Sequence, residues 1–342
     1  MRFDAALSLL ISATIGAGVF ALPAFARPLG IYSLVFILLA FLYSIFLSYT
    51  ILNFAPGTVE DDVEKILGRP AREILECVDK IIILLALSAY AIAMNSHLKM
   101  NPLILLIFLF IPLFLNLHFP AAFSFVLAIS ILIFLSATSI YNLHIISSYP
   151  SPSLNAKIAA LLLFSSYFAF FNHNMIPRIR NILRRIPSVK NAVDLSAFLA
   201  FLAYAPFTLT TLALGEADLS TKVLVEAYSP IPASLVAIFS ILLFYTSFIL
   251  LGLHLQEKAR EMVGSAASLA VIAATAFLYM LAYLLKIPFS VQIATAGFCV
   301  SIYGLIVGIA GMKAKKRQSF MSQMAPYITT LLSIFPLILF LF

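Results

Sequence analysis

The sequence of 342 residues has little of what a water-soluble protein needs. Only 10% of the residues are charged and 63% are hydrophobic, whereas an ordinary globular domain carries about 25% charged residues. Apolar segments of about 20 residues, the length that crosses a bilayer as a helix, recur along the whole chain. The composition therefore excludes a soluble domain and predicts an all-α integral membrane protein.

The sequence is equally short of residues that carry chemistry. It has no tryptophan and only two cysteines, Cys77 and Cys299, which lie far apart and lack the spacing of metal ligands. The absence of a Gly-x-x-x-x-Gly-Lys-Ser/Thr loop excludes a nucleotide-driven pump of that class. The chain shows no metal-spaced His/Asp/Glu set, no paired acids at mid-depth and no Ser/His arrangement. We therefore expect neither an enzyme nor a cofactor. Whether the protein binds a sodium ion is left open.

Apolar segments of membrane length predict eleven transmembrane helices. They occupy residues 4–26, 30–55, 74–96, 101–116, 119–141, 157–178, 194–214, 231–255, 263–285, 288–312 and 324–342. With the N-terminus inside, the cytoplasmic loops hold 15 Lys and Arg residues and the outer loops hold five. This positive-inside bias explains the net charge of +7 better than nucleic-acid binding does. We predict a multi-pass plasma-membrane protein with a cytoplasmic N-terminus and Phe342 outside.

The first predicted span contains a helix-breaking stretch at residues 12–23. Gly16 and Gly18 leave the backbone unshielded, and Pro23 lacks a backbone donor. A broken helix is tolerated in a bilayer only where the freed N–H and C=O groups face protein or a wet cavity. Such breaks form substrate and ion sites at the midplane of several transporter folds.

The chain divides into two halves that correspond to each other. Spans one to five cover 4–141 and spans six to ten cover 157–312, so an odd number of spans per half inverts the second half in the membrane. The sixth span is interrupted like the first, by the stretch YFAFFNHNMIP at 167–177. We therefore predict one transmembrane domain over 1–342, with an inverted repeat and an extra helix at 324–342.

Two motifs resemble a known family. The stretch IGAGVFALP at 15–23 resembles the first-helix signature of the amino acid/polyamine/organocation (APC) superfamily, closest to its amino acid/auxin permease and aromatic amino acid permease branches. The stretch FAFFNH at 168–173, followed by Pro177, is similar to the sixth helix of that superfamily. The resemblance implies a LeuT-like five-plus-five inverted repeat with helices 1 and 6 broken, and alternating-access uptake of amino acids.

The same resemblance implies where an amino acid binds. The N–H groups of Ala17 and Gly18 would bind its carboxylate, and the carbonyls of Thr14, Phe168 and Phe171 would accept from its ammonium group. A half-helix offers unpaired donors at its N-terminus and carbonyls at its C-terminus, so a zwitterion fits between two such ends. The predicted substrate-binding residues are Thr14, Gly16, Ala17, Gly18, Phe168, Phe171 and Asn172.

The coupling ion is open between sodium and a proton. Sodium would bind the carbonyls of Ser12 and Ile15 and the hydroxyls of Thr246 and Ser247, a hydroxyl pair that faces the first-helix break in sodium-coupled relatives. Alternatively, these hydroxyls bond to carbonyls of their own helix. The proton would then be carried by His173, the only histidine expected near mid-membrane.

Two cytoplasmic features complete the pattern. The segment 56–73 mixes acidic and basic residues and predicts a short amphipathic helix. Glu76, Asp79 and Lys80 lie near the cytoplasmic end of the third span, and we expect them to form ion pairs or to extend to water.

Two functions of different classes follow from these observations. The first is a permease that moves neutral amino acids, with an amino acid, sodium or protons, and the lipid bilayer as its partners. The alternative is a non-transporting amino-acid sensor, or receptor subunit, on the same fold. A flux assay separates them, because a sensor binds its amino acid without accumulating it.

Overall fold

A computed structural model describes residues 2–14, 17–54, 58–115, 130, 133, 152–213, 233–314 and 320–341. Within these ranges the chain forms helices and turns and contains no strand. The helices are α1 (Arg2–Thr14), α2 (Leu22–Ala26), α3 (Ser33–Leu52), α4 (Val59–Leu67), α5 (Arg69–Leu98), α6 (Pro102–Phe114), α7 (Ala156–Ala169), α8 (Ile176–Leu183), α9 (Ile186–Ala213), α10 (Ala233–Val263), α11 (Ala267–Leu284), α12 (Phe289–Lys313) and α13 (Phe320–Leu341). Short 3-10 turns cover Ala17–Ala21, Arg27–Tyr32, His173–Met175 and Gly264–Ala266.

Helices of membrane length and composition confirm the expected class. Six segments of the described ranges are long and apolar enough to cross a bilayer: Leu22–Leu52, Arg69–Ser96, Ile186–Leu212, Gly264–Leu284, Phe289–Lys313 and Phe320–Leu341. The chain is therefore a multi-pass membrane protein. The fifth predicted span, 119–141, lies outside the described residues except for positions 130 and 133. The count of eleven spans, the inverted repeat and the side on which each terminus lies stay predictions.

Three helices extend further than the apolar segments that predicted them. Helices α5 and α9 begin before positions 74 and 194, and α10 continues past position 255. The extensions of α5 and α10 are rich in charged residues, which lower the hydropathy of these turns. Ion pairs one turn apart support such turns outside the bilayer, as between Arg69 Nε and Glu73 Oε1 at 2.7 Å. The amphipathic helix expected within 56–73 is α4.

Helix α12 packs closely against α7 and α3. A side-chain carbon at Gly297 would overlap the carbonyl of Phe164, so only glycine permits this approach. Nearby, the rings of Tyr43 on α3 and Tyr167 on α7 stack with centroids 4.0 Å apart. The Tyr43 hydroxyl donates to the Val300 carbonyl on α12 at 2.9 Å. This packing fixes α7, and with it the second helix break, against the rest of the bundle.

Candidate functional site

The first helix break is present where the sequence predicts it. Helix α1 ends at Thr14, the 3-10 turn Ala17–Ala21 follows, and α2 begins at Leu22. Ile15 and Gly16 lie outside the described residues. The break therefore separates two half-helices within one membrane-length segment, with Thr14 at the C-terminus of the first.

The second break interrupts the sixth predicted span. Helix α7 ends at Ala169, and Phe171 and Asn172 are not helical before the turn at His173. The N–H of Phe171 donates to the Phe168 carbonyl at 3.0 Å, which closes the end of α7. Pro177 falls in the first turn of α8, where its missing N–H costs no helical hydrogen bond. Both predicted interruptions are thus confirmed as breaks in helices.

A hydrogen bond between side chains joins the two breaks. Asn172 Nδ2 donates to Thr14 Oγ1 at 2.8 Å. The same hydroxyl donates to the Leu10 carbonyl of its own helix at 2.7 Å. Asn172 is fully buried, and its Oδ1 has no hydrogen-bond partner among the described residues. The structure therefore brings together Thr14 and Asn172, two of the predicted binding residues, and leaves one acceptor of Asn172 available.

Tyr204 on α9 binds both half-helix ends and was missed by the sequence reasoning. Its hydroxyl hydrogen-bonds to the carbonyl of Thr14 and lies 3.2 Å from the carbonyl of Ala169. The Thr14 carbonyl, predicted to accept from a substrate ammonium group, thus already has one protein donor and keeps one further lone pair. A tyrosine buried in an apolar helix needs a hydrogen-bond partner for its hydroxyl. That rule applies to Tyr204 but does not identify the partner.

Gly18 lies against the second break. A side-chain carbon at this position would be 2.8 Å from the Cα of Ala169. The close approach means that Gly18 is needed for packing between the two interrupted spans, in addition to its predicted contact with a carboxylate. Ala17 belongs to the same turn.

His173 is fixed by the backbone of α3. Its Nε2 lies 3.1 Å from the carbonyl oxygen of Ser44, and a carbonyl can only accept, so Nε2 carries a proton. The Ser44 hydroxyl in turn donates to the Phe170 carbonyl at 3.2 Å. His173 is fully buried, and its Nδ1 has no partner among the described residues. The imidazole therefore holds the second break against α3 and presents one free nitrogen.

A small cavity lies where the two breaks meet. Its volume is about 20 Å³, enough for one water molecule. Four of the predicted residues line it: Thr14, Gly18, Phe168 and Phe171. The remaining lining comes mainly from α5, with Leu251 of α10, and was missed because the sequence does not show which face of each helix points inward; the α5 residues are Ile82, Ile83, Ala86 and Tyr90.

The two hydroxyls of the α10 pair differ in their hydrogen bonding. Thr246 Oγ1 donates to the Leu242 carbonyl at 2.9 Å, one turn earlier in its own helix. Ser247 Oγ is buried and has no partner within the described part of the chain. Phe244 of the same helix contacts Phe20 beside the first break, with ring centroids 5.4 Å apart. The sodium set with Ser12 and Ile15 stays a prediction, since Ile15 lies outside the described residues.

A second, larger cavity lies beside the second helix break. It has a volume of about 450 Å³ and is lined by His173, Asn174 and Tyr303, together with charged residues of α4, α8 and α10. The ring of Phe171 contacts the rings of His173 and Tyr303, with centroids 5.3 and 5.8 Å away. Phe171 thus lines the small central cavity and contacts two residues that line this one.

An ion-pair cluster forms part of the wall of the larger cavity. Lys258 Nζ pairs with Asp79 and, at 2.7 Å, with Glu60 Oε1. Asp79 is only 1% exposed. Asp79 is paired, as expected, and its partner comes from another helix because the folded chain places α10 against α5. Lys80 pairs with Glu76 at 3.3 Å, as expected.

Comparisons with known proteins give structural matches alone. No family model matches the chain, and no curated protein matches it. Among solved structures, it is similar to MhsT in complex with L-phenylalanine, with a TM-score of 0.65, 14% identity, and coverage of 100% of this chain and 98% of that chain. The chain therefore has a LeuT-like fold.

Two further structures support the same fold. The manganese transporter of Eremococcus coleocola, in complex with an aromatic bis-isothiourea substituted compound, matches with a TM-score of 0.63 and 13% identity, covering 97% of this chain and 85% of that chain. Mhp1, a nucleobase-cation-symport-1 family transporter in a closed conformation with bromovinylhydantoin bound, matches with a TM-score of 0.60 and 11% identity, covering 94% and 81%. The LeuT-like class is thereby confirmed for this chain.

Proposed function

We propose that the protein is a secondary active transporter that moves neutral amino acids by alternating access, and that it belongs to the APC side of the LeuT-like transporters. The observation that carries the proposal is the cavity formed where two interrupted helices meet, at Thr14 and Asn172. Half-helix ends provide donors for a carboxylate and acceptors for an ammonium group. The zwitterionic part of an amino acid matches both.

The rest of the lining favours an apolar side chain on the substrate. Ile82, Ile83, Ala86 and Leu251 give aliphatic contacts, and Phe168 adds an aromatic one. Burying an uncompensated charge among such groups is costly. Neutral, apolar amino acids are therefore the proposed substrates.

The central cavity must widen for transport. Its volume of about 20 Å³ is far below the roughly 300–1,000 Å³ of ordinary small-molecule pockets. A contracted centre beside an open cavity of about 450 Å³ is what one state of an alternating-access cycle requires. The coupling ion is sodium, with Ser12, Ile15, Thr246 and Ser247 as ligands, or a proton carried by His173.

A thermal-shift screen of the twenty L-amino acids on the purified protein tests substrate binding. A ligand that binds only the folded state raises the melting temperature with its concentration. We expect the apolar amino acids to raise it and the charged ones to leave it unchanged. Mn²⁺ is screened beside the amino acids as an alternative ligand, because a manganese transporter shares this fold.

Uptake into proteoliposomes then tests transport. The amino acid with the largest thermal shift should accumulate against its gradient when an ion gradient is imposed. Binding without accumulation would favour the sensor on the same fold. A screen in which no amino acid changes the melting temperature would exclude both the transporter and the sensor.

A further inference from the structure

Three helices meet on the side of the fold that the charge pattern predicts to be cytoplasmic. Asn53, which follows α3, donates from Nδ2 to the Ser322 carbonyl on α13 at 2.7 Å. Lys190 Nζ on α9 donates to the Ser322 hydroxyl at 3.1 Å. The Tyr49 hydroxyl of α3 donates to Asp194 Oδ2 on α9 at 2.7 Å. These bonds hold the beginnings of α9 and α13 against the end of α3.

The short connection between α8 and α9 adds two arginines to this place. Arg180 Nη1 donates to the Phe54 carbonyl at 2.9 Å, which fastens α8 to the same end of α3. Arg184 has a left-handed φ of 57°, and its N–H donates to the Arg180 carbonyl at 2.8 Å, which ends α8. Arg184 and Arg185 alone separate α8 from α9, and both are exposed. We term Arg184, Arg185 and Lys190 the basic junction.

The charge at this end of the fold is almost entirely positive. Asp194 is the one acidic residue within α8, α9, α12, α13 and the connection from α8 to α9, and its Oδ2 accepts from Tyr49. The same segments contain six basic residues: Arg178, Arg180, Arg184, Arg185, Lys190 and Lys313. Such a local surplus of positive charge attracts an anionic partner.

Lys190 is held in position before any partner binds. Its ammonium group lies 4.8 Å from the centroid of the Tyr49 ring and uses one of its three donors on Ser322. A lysine that is already fixed loses less conformational entropy when it binds an anion. Positive-inside topology explains the sign of the charge on this side, but it requires no fixed geometry. The guanidinium groups of Arg184 and Arg185 can each bind two oxygens of a phosphate group.

Exposed apolar side chains adjoin the basic junction. Leu195 and Phe198 are 38% and 48% exposed and lie within three turns of Lys190 on α9. Phe320 and Met324 are 74% and 39% exposed and flank Ser322 on α13. A partner with both a phosphate group and acyl chains matches the basic and the apolar surfaces, whereas free phosphate leaves the apolar surface uncovered.

We propose that the basic junction binds the headgroup phosphate of an anionic phospholipid, with the acyl chains against the exposed apolar side chains of α9 and α13. Basic clusters at the cytoplasmic ends of transmembrane helices attract anionic lipids in this way. The inference does not rest on the proposed function, because none of the three junction residues lines either cavity described above. Since α8 is the second half of the interrupted sixth span, a lipid bound at Arg184 and Arg185 restrains that half-helix.

Thermal unfolding of the full-length protein in dodecyl maltoside micelles tests the inference. The probe is dioleoyl phosphatidylglycerol, added at increasing mole fraction. A lipid that binds only the folded state raises the melting temperature with its concentration. We expect phosphatidylglycerol to raise it and dioleoyl phosphatidylcholine, which has no net charge, to leave it unchanged. Inorganic phosphate at the same concentration should also leave it unchanged.

A pair of double variants matches the change in charge. Arg184→Gln with Arg185→Gln should need at least fivefold more phosphatidylglycerol for the same rise. Lys65→Gln with Arg69→Gln removes two positive charges from side chains that are 70% and 80% exposed, and should respond as the wild type does. If the first double variant does not fold, modification of the wild type by phenylglyoxal replaces it. Phosphatidylglycerol should then slow modification of Arg184 and Arg185 but not of Arg69.

Several results would overturn the lipid site. They are an equal rise with phosphatidylcholine, an equal rise with inorganic phosphate, the same phosphatidylglycerol dependence in both double variants, and arginine modification that ignores the lipid. The equal rise with inorganic phosphate would identify a site for a free anion instead. A protein that binds no amino acid can still respond to phosphatidylglycerol, so the failure of the proposed function and the failure of the lipid site are distinguishable.

Discussion

Asn172 donates a hydrogen bond of 2.8 Å to the hydroxyl of Thr14, across 158 residues of sequence and between two interrupted helices. Thr14 is the last residue of α1. Asn172 lies between the end of α7 at Ala169 and the start of α8 at Ile176. The contact therefore sets the distance between the two half-helix ends that the proposed substrate must bridge. Its consequences can be tested by substitution.

Replacing Asn172 should weaken both stability and binding. Asn172→Leu keeps much of the volume and removes the donor to Thr14, at an expected cost of about 1–3 kcal/mol in the free energy of unfolding. The melting temperature should fall, and the amino-acid-induced shift should be lost. Asn181→Leu, at an exposed position, is the control. Equal effects of the two variants would contradict the role of Asn172.

Removing the hydroxyl of Tyr204 should break the hydrogen bonds that connect the two helix breaks without creating a cavity in the core. Tyr204→Phe keeps the ring contact with Phe170, at 5.1 Å between centroids, and deletes the donor to Thr14 and Ala169. We expect uptake to fall at least tenfold while the protein still folds, as judged by size-exclusion chromatography. Tyr283→Phe, at an exposed position, should retain uptake. Normal uptake by Tyr204→Phe would show that the hydroxyl is dispensable.

Gly18 should tolerate no side chain. In Gly18→Ala the added carbon would be 2.8 Å from the Ala169 Cα, a backbone atom that cannot rotate away. Overpacking of this kind costs about 1–3 kcal/mol. The melting temperature should fall, and the two spans should separate enough to impair amino-acid binding. An unchanged melting temperature would contradict the close contact.

Lys258 should be essential for the stability of the ion-pair cluster. Lys258→Met leaves Asp79 buried without its cation, which is expected to cost about 3–5 kcal/mol. The double variant Lys258→Met, Asp79→Asn should recover much of that loss. Lys65→Met is the control, because the side chain of Lys65 is 70% exposed and exposed pairs contribute about 0–1 kcal/mol. Similar unfolding curves for Lys258→Met and Lys65→Met would refute the buried pair.

The coupling ion can be assigned by pairing gradients with variants. Sodium coupling requires that a sodium gradient drive accumulation and that Ser247→Ala and Thr246→Ala weaken it. Thr295→Ala is the matched control, since Thr295 bonds to a carbonyl one turn earlier, as Thr246 does, but is exposed. Uptake that follows a pH gradient, ignores sodium and fails in His173→Ala would assign the proton instead.

The membrane class and the two helix breaks could be read from the sequence because their causes are local. Apolar runs set the spans by length, and glycine and proline lower the local stability of a helix. The predicted residues Thr14, Gly18, Phe168 and Phe171 meet at one cavity for that reason. The predicted set also named both Asn172 and Thr14, but not the hydrogen bond between them.

Only the tertiary structure decided which groups pair across the bundle. Tyr204 bonding to two half-helix ends, His173 bonding to Ser44, and Asp79 bonding to Lys258 each join helices that are distant in sequence. In a helix that is apolar on most of its faces, the residue pattern does not show which face points inward, so the α5 lining of the central cavity was not predictable either. Local chemistry determined where the helices break; packing between helices determined what each broken end contacts.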